Sequence, residues 1–201
     1  MGYPLNALNA LRHVSSSWLS REIIFASLYL AALGLATLLM FVKKPGWKPL
    51  LVVAALVGLV DVFCMAQIYL HASVVAWQHV NTLVLFIGSV GIIGSACMAV
   101  GTRSQTTVRA AVVIITLLVL QPVWLADITA MDNTVVTFPH APLQMLEQLR
   151  TVHLLSWCVS VAGMLCFAAG GLKAARATML LGSALLIVGE LMLRFVFFSI
   201  G

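Results

Sequence analysis

The sequence predicts an all-α, polytopic membrane helix bundle with about six transmembrane helices, and three observations lead there. Of 201 residues, 62% are hydrophobic and only 8% are charged, whereas a soluble domain carries about 25% charged residues. Such a chain cannot cover itself with a solvated surface. Apolar runs of some twenty residues recur along it, and twenty helical residues at about 1.5 Å each match a hydrocarbon core of about 30 Å. The breaks between the runs alternate between basic and non-basic, as loops on opposite sides of a membrane do. The length leaves room for one membrane domain, 1–201, and none for an additional soluble one.

Residues 1–21 are not apolar enough to span. They read as an interfacial segment, with Leu5, Leu8 and Leu11 on one side, Trp18 at headgroup depth, and Ser15 to Ser17 placed to cap the following helix. The first helix is expected over 23–42 and stops at "KKPGWKP". The second, 50–70, carries Asp61 near its middle. The third, 81–101, carries Gly88, Gly91, Gly94 and Ser95, small residues that allow close helix approach in lipid. The fourth, 110–130, is interrupted at "QPVW", where Pro122 frees a backbone carbonyl and bends the helix. The fifth is expected over 151–172 and the sixth over 178–200.

The breaks "KKPGWK", "TRSQTTVR" and "KAARA" are basic. "HASVVAWQHV" has no Lys or Arg, and "MDNTVVTFPHAPLQMLEQLR" has only Arg150 at its end. The positive-inside rule puts the basic breaks in the cytoplasm and both termini, with Glu22, on the outer side. Arg12 and Arg21 are the exceptions to that pattern. The same loop placement explains the net charge of +5 and argues against nucleic-acid binding, which would need a basic patch.

Cys64, Cys97, Cys158 and Cys166 lie inside apolar runs with no CxxC spacing, so they read as small packed hydrophobes rather than metal ligands. The histidines do not form a facing pair for b-haem: His71 and His79 flank a loop, His13 and His140 lie outside the helices, and His153 only begins one. Acids inside helices require an account, because a charge at the bilayer centre costs about 2.5–3.5 kcal/mol even on mild scales. Glu190 and Arg194 are four apart in "VGELMLRFVFF", on one helix face with the acid first, which suits a structural ion pair or the wall of a ligand cavity. Asp61 has no partner in its own helix, so it is either hydrogen-bonded in the bundle or lines a polar path. Asp127, near a helix end, can reach interfacial water. Glu22 directly precedes twenty uncharged residues, Ile23 to Val42. It is either a helix-end acid favoured by the dipole or a proton acceptor.

Three segments carry a resemblance. "GYPLNALNALRHVSSSWLSREI", Gly2 to Ile23, is similar to the junction between the second and third helices of the dimethyl sulfoxide reductase anchor subunit family. "GELMLRFVFF", Gly189 to Phe198, resembles that family's last helix, and "MAQIYLHASVVAW", Met65 to Trp77, echoes the stretch after its fourth. The resemblance implies a subunit with no cofactor of its own. Such a subunit holds a molybdopterin catalytic subunit and an iron–sulfur electron-transfer subunit at the bacterial cytoplasmic (inner) membrane and oxidises menaquinol. It also implies Glu22 and Arg21 in quinol binding, and leaves Glu190 and Arg194 as scaffold. The family has eight helices, so the first two, with a quinol-site histidine, are expected to be absent from this sequence. Two rivals stand beside that reading: an anchor without quinol turnover, and a small transporter or channel. The second lacks the paired broken helices in related halves that a transporter commonly shows.

Overall fold

The computed structural model of the chain describes residues 14–74, 77–102, 104–124 and 148–199. Its described secondary structure is helical: α1 (Trp18–Phe41), α2 (Trp47–Leu70), α3 (Val80–Gly101), α4 (Gln105–Val119), α5 (Gln121–Trp124), α6 (Arg150–Leu172) and α7 (Arg176–Ser199). Five of these, α1, α2, α3, α6 and α7, are long and apolar enough to cross a membrane. Side chains that a soluble protein would bury face outward, among them Leu30, Leu56, Leu117, Leu165 and Leu191. That is the arrangement of a chain solvated by lipid. The protein is a polytopic helical membrane bundle.

The chain divides between Ala72 and Ser73 into two compact units. In the first, α1 and α2 pack as a hairpin along a seam of small buried residues: Ser20 and Ala36 from α1, Ala54, Cys64 and Ala66 from α2. Small residues serve here because helix association in lipid relies on close van der Waals contact. The basic turn between the helices closes with Lys43 N–H donating to Met40 O and Lys44 N–H to Leu39 O, which requires a left-handed Lys43 (φ 55°).

In the second unit α3, α4, α6 and α7 form a ring in which each helix packs on two neighbours, α3–α4–α6–α7 and back to α3. Ile92, Ala96 and Ala99 of α3 meet Val108, Ala111 and Ile115 of α4 in its core, with Phe167 of α6 and Leu186 of α7. The closest approach is between α6 and α7. A Cβ on Gly163 would lie 2.8 Å from Leu186 N, and one on Gly170 2.6 Å from Met179 N, so only glycine permits this contact. In the third helix Gly91 lies against Leu118, but a Cβ on Gly94 would meet nothing within 4 Å.

The expected helices are present with altered ends. The first begins at Trp18, so Arg21 and Glu22 lie inside it rather than before it. The second, third, fifth and sixth begin one to three residues earlier than expected. The fourth begins at Gln105 and its regular part ends at Val119, one short helix before the stretch expected to complete it. The break falls at Leu120, next to the Gln121–Pro122 pair that predicted it. Residues 125–130 of that helix, Asp127 among them, lie outside the described residues, as do residues 1–13 with Arg12 and His13, and His140.

Candidate functional site

The N-terminal end of α1 is built by an arginine rather than by a serine cap. Ser17 occupies the N-cap position in extended conformation, and its side chain makes no capping hydrogen bond. Arg21 folds back instead. Its Nε donates to Val14 O (2.9 Å), its Nη2 donates to Ser15 O (2.6 Å), and its guanidinium lies 4.4 Å over the Trp18 ring. Carbonyls preceding a helix have no helical partner, and the forked, permanently charged guanidinium satisfies two of them at once.

Trp18 in turn reaches α2. It meets Phe63 edge-on at 6.1 Å between centroids and lies tilted against His71 at 6.0 Å. Glu22 sits one turn further along α1 and is half-buried. The charges of Glu22 and Asp61 are close enough to act on each other, and Cys64 senses both of them as well as Arg21. Arg21, Glu22, Asp61 and Cys64 therefore share one neighbourhood of the hairpin. Asp61 Oδ1 is buried and has no hydrogen-bond partner among the described residues. Sequence reasoning placed Asp61 in its helix but did not connect it with Glu22, because 39 positions separate them and only the antiparallel hairpin register brings them together.

The other acid–base pair lies in the second unit and is closed by a residue the sequence analysis did not single out. Ser89 of α3 donates to Glu190 Oε2 (2.5 Å) and accepts from Arg194 Nη2 (2.9 Å), and the same nitrogen donates to Leu85 O (3.0 Å). The guanidinium also stands 4.1 Å over the Phe86 ring. Phe86 meets Phe197 edge-on, and Phe197 stacks on Trp77 at 5.4 Å, whose indole N–H donates to Phe197 O. The pair is thus tied to α3 by hydrogen bonds and aromatic contacts, and Glu190 is only 8% exposed.

Two further polar contacts serve the break after α4. Gln121 Nε2 donates to Asn81 Oδ1 (2.9 Å), and Trp157 Nε1 donates to Val119 O (3.1 Å). A carbonyl left open at a helix end is costly in hydrocarbon, and the indole N–H supplies its partner. The four cysteines carry free thiols; Cys64 is buried, Cys97 and Cys158 are exposed. Among the described residues no group of three or more His, Cys, Asp or Glu is placed to hold a metal.

A family model described as DMSO reductase anchor subunit (DmsC) matches residues 1–200. The chain belongs to that family. No curated protein and no solved structure matches it. As an anchor of this family it is a membrane subunit of a DMSO reductase-type complex, associated there with catalytic and electron-transfer subunits.

Proposed function

We propose that this anchor binds menaquinol at the Trp18 end of the α1–α2 hairpin, takes up protons released on oxidation, and hands the electrons to an iron–sulfur partner subunit. That partner passes them to a molybdopterin catalytic subunit; the chain itself carries no redox centre. The observation that carries the reading is the position of Glu22. It lies four residues, about 6 Å, inside α1, beside Asp61 and behind an arginine already committed to the preceding turn.

Oxidation of a quinol to a quinone releases two electrons and two protons. The electrons need an acceptor cluster and each proton needs a base within hydrogen-bond reach. Glu22 supplies such a base near a membrane surface, where a proton has a short route to water. Arg21 holds the Val14–Ser17 turn and the Trp18 ring in place, so it shapes the entrance to the site. In the Ser89 network, Glu190 and Arg194 act as scaffold. The alternation of basic loops supports a bacterial cytoplasmic membrane location with the Glu22 end on the periplasmic side.

The test compares quinol-analogue binding to membranes containing the complex for the parent and Glu22→Gln, with partner subunits quantified in the same sample. Glutamine keeps the shape of the side chain but removes the proton acceptor. The expected result is binding by the parent and loss of at least ~10-fold in affinity for Glu22→Gln, about 1.4 kcal/mol, with partner content unchanged. A parent that retains its partners but fails to bind the analogue would make this chain a structural anchor without quinol turnover.

A further inference from the structure

The quinol reading uses one carboxyl, yet the oxidation releases two protons. Asp61 is the other titratable acid of the hairpin among the described residues. It lies nine residues, about 14 Å, before the end of α2 at Leu70. Leu70 and Trp18 mark the same end of the hairpin, since Trp18 packs on His71 directly after Leu70. Asp61 therefore lies deeper along the hairpin than Glu22, close to the middle of a core about 30 Å thick. Its buried Oδ1 has no partner among the described residues. An orphaned carboxyl oxygen at that depth costs free energy that packing alone does not return, and it persists where function uses it.

We propose that Asp61 is a proton-relay residue of the quinol site, working with Glu22 as the deeper of two stations. The proposal rests on the quinol reading above. A quinol carries its two hydroxyls at opposite ends of one ring, so its two protons leave from different positions. Two carboxylates at different depths on one hairpin match that geometry. As the ring is oxidised, each O–H bond breaks and both electrons go to the partner's iron–sulfur cluster. One proton goes to Glu22. The other goes to Asp61, which passes it to Glu22 and on to the surface after Glu22 has released the first. Cys64 lies within electrostatic reach of both carboxyls and of Arg21. Arg21 is held at the shallow end by Val14 and Ser15.

The test uses the whole complex in membranes, with parent, Asp61→Asn, Asp61→Glu and Glu22→Gln compared for partner content, quinol-analogue binding and menaquinol turnover. Asparagine preserves size and polarity but takes up no proton. Asp61→Asn is expected to keep its partners and to bind the analogue within about threefold of the parent, while kcat for menaquinol falls at least tenfold and KM changes little. Its solvent deuterium isotope effect rises, and Asp61→Glu restores most of the turnover. Full turnover in Asp61→Asn overturns the relay. So does a loss of partners or of analogue binding that matches the loss of turnover, because it assigns Asp61 to packing. Failure of the parent to bind the analogue overturns the quinol reading and the relay with it. Binding that is lost in Glu22→Gln, combined with an indifferent Asp61→Asn, removes the relay alone.

Discussion

The contact between α6 and α7 makes a sharp prediction at Gly182. A Cβ placed there would lie 2.7 Å from Phe167 Cα and 2.8 Å from Gly163 O. Carbon atoms in van der Waals contact sit about 3.5 Å apart or more, so the shortfall against Phe167 is about 0.8 Å. Both obstacles are backbone atoms and neither can swing aside, so Gly182→Ala must push the helices apart. Overpacking of this kind costs about 1–3 kcal/mol. The gain in helix propensity from Gly to Ala returns about 0.5–1 kcal/mol; the middle of each range leaves a net loss of about 1.25 kcal/mol, a factor of about 8 in the folding equilibrium. The control is Gly94→Ala, where the added Cβ meets nothing within 4 Å and only the propensity term acts. Purified protein in mixed micelles, titrated with sodium dodecyl sulfate and followed by far-ultraviolet circular dichroism, reads both. Gly182→Ala should unfold at a lower detergent fraction than the parent, and Gly94→Ala at the same or a higher one. If the two variants unfold together, the close approach of α6 and α7 is not what holds the ring.

The hydrogen-bond networks give two more predictions in the same unit. Ser89→Ala removes the hydroxyl shared by Glu190 and Arg194; it should destabilise the bundle by about 1–3 kcal/mol in that titration, with Ser89→Thr recovering most of the loss. Trp157→Phe removes the donor to Val119 O; hydrogen exchange of the amides next to Leu120 should accelerate, with a stability loss of about 0.6 kcal/mol and at most ~1.7 kcal/mol.

How much of this was legible in the sequence follows from the range of the forces involved. Spans were legible because hydrocarbon solvation acts on every residue of a run, and the break at Gln121–Pro122 was legible because proline acts locally. Helix starts were misjudged by up to five residues, at α1 and at α4; in α1, Trp18, Ser20, Arg21 and Glu22 are polar or amphipathic but helical in backbone. Apolarity reports the lipid-facing stretch, whereas helix limits depend on how carbonyls are satisfied, here by Arg21. Glycine pattern was read in α3, yet the tightest packing uses Gly163 and Gly170 of α6 and Gly182 and Gly189 of α7, with Gly163 against Gly182, Gly170 against Met179 and Gly189 against Ser160. Those pairs are spaced by seven on both helices, a signal present in the sequence that becomes decisive only when the two helices are known to face each other. Family motifs pointed to Glu22; nothing local could point to Ser89, whose role depends on α3 lying beside α7.

The two units treat a membrane-embedded acid in opposite ways. Glu190 lies nine residues from the end of α7, as Asp61 does from the end of α2, so depth alone does not distinguish them. Around Glu190 the chain supplies a hydroxyl at hydrogen-bond distance and a guanidinium sharing that hydroxyl. Changing its charge would disturb a network spanning α3 and α7, and a group so bound is poorly suited to exchanging protons during turnover. Around Asp61 the chain supplies another carboxylate and a thiol, and leaves Oδ1 open. Taking up a proton there breaks no hydrogen bond to Oδ1. Under the proposed function, the acid left open assigns proton chemistry to the hairpin, and the acid held in a network assigns rigidity to the ring.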